Sequence, residues 1–526
     1  SDVFKWMEAA SLSLQYENEE MQTYLEEAID LLDRAQQKNG YLNTYYIIHG
    51  LQDRWHYLKE SCQLYCAGHL IEAAVSAYQT IQNTKLLEIA RAYADYIDYS
   101  FGIEESKIHG YDGHAEIELA LYRLYEETDV ERYKLLADYF VEERGKKPYF
   151  FSKENRNQNV RNNLVYELEE SNYQHSQSHL PIREQTEPVG HAVKAMYYYT
   201  AAVDKARLNE DKELFAHMCK LWQSVVSQKM YLTGGCGALY NGASPYGNFF
   251  HHQLVHQAYG YEYQLPNVTA YNETCASLGG VFWAWRMFCI DPKAEYMDML
   301  ERMMLNVNLA GISMDGKRFF YENMLRRAKE LPYELVWGQE RTEYILSYCC
   351  PPNLARTIAE SAEYAYAVDK DGVWTGLYGA NKAHFKLENG ANFTLVQKTQ
   401  YPSNGTIAFE VEESNEIPFL LHLRIPSWAT AGVLVNGNNA IRLTKKHAGT
   451  YQTIEVTDPK NACICLKLEM KPRLTRGHGL IEEDRNQVAV EYGPFVYCME
   501  SPDVNVEYLE DLLMPLDPGF EPVEYE

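Results

Sequence analysis

The feature that most constrains the fold is an apolar period that changes once along the chain. From residue 3 to about residue 362, apolar side chains recur every three or four residues, as in "MQTYLEEAIDLLDRAQQ" and "CASLGGVFWAWRMFCI". This spacing is typical of amphipathic helices. After about residue 365 the period becomes two, in segments such as "GTIAFEVEE" and "ACICLKLEM", which is typical of strands. The sequence therefore predicts a helical part followed by a β part.

The order of these segments also predicts an architecture. Successive helices joined by loops that carry Gly, Pro and His are typical of paired helices packed as a toroid or a superhelix. No motif recurs at a fixed period, so an array of helical repeats is disfavoured. We expect an α+β multidomain chain, with a closed (α/α)6 helical barrel in residues 1–364 and a β-sandwich in residues 365–526.

The composition restricts the classes of partner. The formal net charge is −26 and no cluster of Lys and Arg occurs, so nucleic acid and anionic membranes are poor partners. No apolar run reaches the about 18 residues that a membrane-spanning helix needs. The 11 cysteines form no disulfide framework and no signal peptide opens the sequence, so we expect reduced thiols and a cytoplasmic protein, with the periplasm as the alternative. A homodimer is left open.

Two adjacent thiols stand in "SYCCPPNLAR", where Cys349 and Cys350 precede Pro351 and Pro352. Four interpretations are open: a vicinal disulfide, a pair of metal ligands, a reactive thiol with a neighbour that tunes it, and two buried cysteines. A disulfide between neighbours closes a strained ring and is disfavoured. The dipeptide alone does not decide among the other three.

A second group of polar residues opens a long apolar segment. Glu273 and Cys275 lie two residues apart in "LPNVTAYNETCASLGG". With Cys349 and Cys350 they would make a carboxylate and thiolate set of zinc type. The spacing is not that of a zinc finger, and on the pattern alone two buried thiols and a glutamate at a helix start are the better explanation.

Three Gly-His pairs precede helical segments, in "YCAGHL", "GYDGHA" and "EPVGHA". We expect each glycine to turn the backbone and each imidazole, of His69, His114 and His191, to be presented at a helix N-terminus. Taken singly, each histidine is explained as a capping or core residue. Three together favour a shared pocket.

A series of longer words connects the chain to a known family. They are, in order, "GYLNTYY", "QLYCAGHLIEAA", "GHAEIELALYRLY", "LPIREQTEPVGHAVKAMY", "LTGGCG", "LPNVTAYNETCAS", "KRFFYENML" and "CCPPNLARTIA". In these words the sequence closely resembles the β-L-arabinofuranosidase family of glycoside hydrolases, family 127, over nearly all of the helical half. The resemblance is specific for the family and less specific for the substrate.

The resemblance implies a double-ring helical barrel with β-sandwich domains, and a retaining mechanism in which a zinc-bound cysteine attacks the anomeric carbon. The reaction so implied releases a terminal β-L-arabinofuranose from plant oligosaccharides or glycosides. The residues implied by position are the Zn²⁺ ligands Glu273, Cys275, Cys349 and Cys350, the nucleophile Cys349, the sugar-binding His69, His114 and His191, and Tyr321 beside the nucleophile.

Other functions stay open beside this one. Within the same class, the substrate could be an acidic pectin sugar such as aceric acid, for which Arg183 in "PIREQTE" is the candidate cation. A zinc-containing sugar-binding protein without catalysis is the alternative from another class. A helical-barrel lyase or epimerase comes third, since it would have no use for the cysteine set.

One position departs from the family. The resemblance places the general acid/base glutamate 16 residues before the zinc-binding glutamate, and this chain has Gln257 there. Glutamine can bond to the glycosidic oxygen but cannot protonate it, and loss of acid catalysis lowers rates about 10²- to 10⁴-fold. We expect either an inactivating substitution or a natural divergence in which Glu262 or His256 takes the role.

Overall fold

The structure is a computed structural model, and it forms two compact units. The first unit contains Ser1–Pro292 and Val307–Tyr364, and the second contains Lys293–Asn306 and Ala365–Glu526. The residues described by the structure are 1–154, 173–239, 257–327, 337–345, 347–515, 517–521 and 523.

Helices make up most of the described part of the first unit, and one further helix, α13, belongs to the second. Their bounds are α1 (Asp2–Ser13), α2 (Glu19–Ala35), α3 (Thr44–His49), α4 (Leu58–Ser61), α5 (Gln63–Ile81), α6 (Thr84–Ser100), α7 (Ile117–Thr128), α8 (Glu131–Glu143), α9 (Phe150–Glu154), α10 (Ala192–Leu208), α11 (Lys212–Ser224), α12 (Thr274–Ile290), α13 (Ala294–Met303) and α14 (Cys350–Glu360).

Six helices of the first unit form a closed inner ring. Helix α1 packs on α5, α5 on α7, α7 on α10, α10 on α12, α12 on α14, and α14 returns to α1. Inner helices are buried all round, as in α10, whereas the outer helix α2 buries only Leu25 and Ile29. Helices α2, α6, α8 and α11 pack on the outside of their inner neighbours. The predicted (α/α)6 barrel is confirmed.

A buried ionic network joins the first and last helices of the ring. Arg356 on α14 donates to Glu8 on α1 at 2.7 Å, and Glu8 also accepts from Arg123 at 3.3 Å. Arg123 in turn contacts Glu72 on α5 at 2.6 Å. Burial opposes the charge of Glu8, but the two guanidinium groups hold its pKa below the usual value. Breaking such a pair by removing one partner typically costs about 3–5 kcal/mol.

The second unit is a β-sandwich, as the sequence predicts. One sheet has the strand order β1-β2-β6-β9, the other β3-β4-β5-β10-β7-β8, and a third small sheet has the order β11-β12-β13. Phe393 of the six-stranded sheet stacks on Phe419 of the four-stranded sheet, with ring centroids 3.8 Å apart. The strands are β1 (Tyr366–Val368), β2 (Gly372–Thr375), β3 (Asn381–Lys386), β4 (Asn392–Thr399), β5 (Thr406–Glu412), β6 (Phe419–Ile425), β7 (Ala431–Asn436), β8 (Asn439–Thr444), β9 (Thr450–Val456), β10 (Cys463–Leu468), β11 (Pro472–Thr475), β12 (Ala489–Tyr492) and β13 (Phe495–Val496).

Helix α13 groups with the strands rather than with the helical ring, because a buried arginine ties it to β6. Arg424 is fully buried, and it donates to Asp298 and, at 2.7 Å, to Glu301 on α13. Tyr401 donates to the same Glu301 carboxylate at 2.9 Å.

Asp112 fixes the start of inner helix α5. One carboxylate oxygen accepts the backbone N–H of Leu64 at 2.7 Å, and the other accepts that of His114 at 3.1 Å. The carboxyl group therefore satisfies backbone donors that helix geometry leaves unpaired, and it sets the loop that carries His114 against α5. Burial raises the pKa of Asp112 to about 6.

This raised pKa predicts a pH-dependent effect of Asp112→Asn. The folded protein holds the Asp112 proton more tightly than the unfolded chain, whose aspartate pKa is about 3.9, so the stabilising contribution of the protonated group is lost as the pH rises through about 6. We expect the destabilisation caused by Asp112→Asn to be about 2 kcal/mol larger at pH 4 than at pH 7. Urea unfolding of both proteins across this range measures it, and a difference that is flat or grows with pH contradicts it.

Candidate functional site

Two helix N-termini of the inner ring bring four metal-type donors together. Glu273 is the N-cap of α12 and Cys275 lies in its first turn, while Cys349 is the N-cap of α14 and Cys350 its first residue. The donor atoms of these four side chains all lie within 4.8 Å of one another. The set that the sequence singles out on chemical grounds is therefore one cluster in space.

The prolines after the two cysteines shape this corner. Pro351 and Pro352 lie in the first turn of α14, where backbone N–H groups have no partner inside the helix, so the missing N–H is tolerated. The rigid turn presents both thiols at the same helix end. Their sulfur atoms are 3.8 Å apart and both cysteines are free, so they form no vicinal disulfide.

The donor atoms of the cluster lie close to one another. Cys275 Sγ lies 3.3 Å from Cys350 Sγ, and Glu273 Oε1 lies 3.6 Å from Cys349 Sγ. Three thiols and one carboxylate are donors that zinc accepts in proteins. The two helix N-termini carry partial positive charge, which favours deprotonated ligands at this point. The residues present therefore fit a thiophilic divalent cation.

Burial and mutual hydrogen bonds shift the pKa values of the donor groups in different directions. Burial raises the pKa of Glu273 and of Cys275 well above their usual values. Hydrogen bonds from the thiols of Cys275 and Cys350 hold the pKa of Cys349 well below that of an ordinary cysteine. Cys349 is also the half-buried thiol, whereas Cys275 and Cys350 are buried. The lowered pKa and the access to a ligand thus coincide at Cys349.

Gln257 and Tyr321 lie directly against the cluster. The Gln257 amide donates to Glu273 Oε2 at 2.8 Å and to the Tyr321 hydroxyl at 3.0 Å, and that hydroxyl is 3.8 Å from Cys349 Sγ. Tyr321 therefore lies beside the thiol. Its ring stacks on Trp337, with centroids 4.0 Å apart. Trp337 donates in turn to the hydroxyl of Tyr271 at 2.7 Å.

Sequence reasoning missed Trp337 and Tyr271. Tyr271 is two residues before Glu273 in "TAYNETC", so its closeness to the site could have been inferred from the sequence. Trp337 is far from the other site residues in sequence, and only the folding of the chain brings it near them.

The expectation that all three Gly-His pairs stand at helix starts is wrong for His69. His191 is the N-cap of α10, and His114 lies just before α7, but His69 is in the interior of α5. Gly68 serves close packing there, since a Cβ atom on it would lie 2.5 Å from Glu116 Cγ. Glu116, which sequence reasoning missed, places its Oε1 atom 2.9 Å from His69 Nδ1.

The structure nevertheless brings the three histidines together around Tyr65. The Tyr65 ring lies 4.5 Å from His69 and 4.3 Å from His114, and the ring of His114 lies 6.0 Å from that of His191. His175 extends the row, 5.3 Å from His191. Burial lowers the pKa of His69 and of His114 well below the usual value. Neutral imidazoles both donate and accept hydrogen bonds, which suits sugar hydroxyls.

Lys5 links this row to the thiol cluster. Its ammonium group donates to the Tyr65 hydroxyl at 2.7 Å and to the backbone carbonyl of Cys349 at 3.4 Å. The backbone of Gln257 joins the row from the other side, because Gln257 O accepts the N–H of Ala192, the residue after His191, at 2.9 Å. The donor cluster and the histidine row are therefore parts of one site.

Two candidates do not join this site, and a third lies outside the described residues. Arg183 is exposed and pairs with Asp211 at 2.5 Å, so it is not the cation of a sugar pocket. Glu262 lies on an exposed turn, in which the N–H of Gln264 bonds to the carbonyl of Tyr261. His256 lies outside the described residues.

Comparison with known proteins decides the family. Residues 1–363 match the model of the β-L-arabinofuranosidase GH127 catalytic domain. The chain belongs to glycoside hydrolase family 127. The middle domain of the family matches residues 372–470, and its C-terminal domain matches residues 472–520.

Relatives of this family 127 chain have related names. It is 35% identical over 519 residues to a non-reducing end β-L-arabinofuranosidase of Bifidobacterium longum subsp. longum, a match that covers 96% of this chain and 75% of the relative. A family 127 β-L-arabinofuranosidase from Geobacillus stearothermophilus T6 has a similar crystal structure, with a TM-score of 0.85, 35% identity, and coverage of 94% of this chain and 76% of that one. A further family 127 β-arabinofuranosidase structure gives a TM-score of 0.80 at 31% identity, over 95% of this chain and 76% of that one.

These relatives make the chain a glycoside hydrolase with a carbohydrate substrate. Among the helices that the structure describes, none is long and apolar enough to cross a membrane.

The burial of the thiols predicts an order of alkylation in metal-free protein. Cys275 and Cys350 are 2% and 1% exposed, whereas Cys349 is half-buried, so iodoacetamide should modify Cys349 at least about fivefold faster than either neighbour. Peptide mapping by mass spectrometry after short exposures in the presence of a chelator measures the three rates. Equal rates at Cys349 and Cys275 would contradict the described packing.

Proposed function

We propose that this chain is a retaining exo-glycoside hydrolase that releases terminal β-L-arabinofuranose from plant glycans, with Cys349 as nucleophile in a zinc centre. The observation that carries the proposal is the cluster of Glu273, Cys275, Cys349 and Cys350, in which the accessible thiol is also the one whose pKa is lowered. The names of the family 127 relatives support the sugar.

The cluster residues would hold the metal through one carboxylate oxygen and three sulfurs. When bound, Zn²⁺ would keep its thiol ligands deprotonated and so provide a thiolate at neutral pH. The protein's own contribution is the arrangement: α12 and α14 fix the donors at their N-termini, and the Tyr321 hydroxyl, 3.8 Å from Cys349 Sγ, lines one side of the nucleophile.

The reaction is a double displacement. The sulfur of Cys349 attacks the anomeric carbon, a carbon–sulfur bond forms, and the bond from that carbon to the aglycone oxygen breaks. Water then attacks the same carbon from the face that the aglycone left, and the sulfur departs. Two inversions leave the configuration of the sugar unchanged. His69, His114 and His191 bind the hydroxyl groups during both steps, and the lowered pKa values of His69 and His114 keep these two imidazoles neutral.

Gln257 limits this reaction. Its amide group bonds to Glu273 and to Tyr321, and it carries no titratable proton for the aglycone oxygen. Aglycones that leave readily as anions therefore react, while alkyl and sugar aglycones depart slowly and water attacks slowly for lack of a base. This same feature supports a second candidate function, a zinc-containing sugar-binding protein with little turnover.

The zinc centre predicts a metal content. We expect about one zinc per chain by elemental analysis, and we expect Cys275→Ser to lower both the zinc content and the melting temperature, because the ligands tie α12 to α14. Cys289→Ser is the matched control, since Cys289 is an exposed thiol on the same helix and should change neither quantity. A wild-type protein that takes up no zinc from a metal-containing buffer would refute the centre.

The glutamine predicts a gain of function. Gln257→Glu should raise kcat/KM for glycosides with poor leaving groups by about 10²-fold or more, with a smaller gain for a nitrophenyl β-L-arabinofuranoside and with retention of configuration in the product. Glycoside assays with NMR detection of the first-formed anomer measure both effects.

Glu262→Gln is the control, because Glu262 is exposed and should leave the rates unchanged. If Gln257→Glu alters nothing while Glu262→Gln abolishes turnover, Glu262 is the acid. If no variant hydrolyses a furanoside although zinc and L-arabinose both bind, the sugar-binding function replaces the hydrolase.

A further inference from the structure

The side chain of Lys5 is an unusual cation in this protein. Lys5 lies on α1, is 0% exposed, and has two neutral partners, the Tyr65 hydroxyl and the carbonyl of Cys349. Within the described part of the chain, no carboxylate pairs with its ammonium group. A buried cation without a counter-charge is strongly disfavoured, because desolvation is not compensated.

Two other buried cations in the same unit have carboxylate partners. Arg144 pairs with Glu118 at 2.8 Å, and Lys229 pairs with Glu187 at 2.6 Å. Glu116 is another buried carboxylate of this interior, but its Oε1 atom contacts His69 Nδ1 rather than the Lys5 ammonium. Within the described residues no carboxylate touches the Lys5 ammonium, and the balancing negative charge acts across a longer distance, from groups such as Glu116 and Glu273.

The donor cluster has that charge once it holds its metal. One carboxylate and three thiolates carry four negative charges, and a divalent cation leaves a net charge of −2 on the centre. Lys5 touches the main chain of Cys349, and it reaches this point from α1, whereas the ligands belong to α12 and α14. Among the described residues, neither α12 nor α14 places a Lys or Arg side chain of its own against the four donors.

We propose that Lys5 is the counter-charge of the metal–thiolate centre, a positioning residue that strengthens metal binding and holds the peptide group of Cys349 in place. The inference rests on the proposed function, since it assumes that the four donors bind a divalent cation. By this proposal, Lys5 of helix α1 contributes to a site whose residues Cys349 and Cys350 lie at the start of helix α14.

The charge effect has a size that can be measured. Two unit charges about 7 Å apart, in a medium with an effective dielectric constant of about 20, attract strongly enough to change an equilibrium constant more than tenfold. Lys5→Met keeps the length of the side chain and removes the charge. We expect this variant to bind Zn²⁺ at least about tenfold more weakly than the wild type in competition with a chromogenic chelator.

Lys229→Met is the matched control. Lys229 is equally buried in the same unit, but it donates to Glu187 and to the carbonyl of Pro188, away from the cluster. The control should bind Zn²⁺ within about threefold of the wild type, although it loses a buried cation as well. A second variant, Tyr65→Phe, removes the hydroxyl partner and keeps the Lys5 charge, so its zinc affinity should also stay within about threefold.

Thermal unfolding distinguishes this role from a purely structural one, because a purely structural lysine would not change the stabilisation by Zn²⁺. The rise in melting temperature on adding Zn²⁺ should be smaller for Lys5→Met than for the wild type, while the metal-free variant should be at least as stable as the metal-free wild type. A variant that fails to fold without metal, or that binds Zn²⁺ as tightly as the wild type, overturns the proposal. So does a tenfold loss in Tyr65→Phe. A wild type that binds no Zn²⁺ refutes the zinc centre itself, which is a separate outcome.

Discussion

The bond between Arg356 and Glu8 closes the helical ring, and the site depends on that closure. These residues are 348 positions apart, yet their side chains meet at 2.7 Å in the interior. The closure seats α14 between α1 and α12, and only then do the two helix N-termini that carry the cysteines and Glu273 face each other. The donors are thus held by the packing of whole helices rather than by a flexible loop, which keeps the four donor groups within a few ångströms of one another.

The site divides into two electrostatic halves. On one side, helix N-termini and Lys5 surround donors that become anionic, and on the other, buried histidines stay neutral beside Tyr65. The second half suits the neutral sugar that we propose as substrate, since uncharged donors and acceptors bond to hydroxyls without the loss that desolvating an ion would cause. The four donor groups that we propose as metal ligands all lie in the first half. Gln257 lies between them, with an amide where a second carboxylate would repel Glu273.

Much of the fold was predictable from periodicity, because helices of the ring and long sandwich strands bury one regular face. Strands β1, β2, β3, β8 and β11 were not predicted, since they are short or mostly exposed, as in β8. The ligand set was visible in the chemistry of its residues. His69 was misplaced because its glycine serves close packing in a helix, and Lys5 was missed because its role depends on a contact with Cys349, 344 residues away.

The closed ring also bears on how the protein is made. Helix α1 leaves the ribosome well before α14, yet the arginine that pairs with its Glu8 and the cysteines beside its Lys5 arrive only with α14, more than 300 residues later. Until α14 has been made, Lys5 and Glu8 of α1 lack contacts that they make in the folded interior. The nascent ring stays open on one side during this time. Contacts of such high sequence separation form slowly. The packing of α14 against α1 and α12 therefore completes the ring and brings the four donor groups together in a single step.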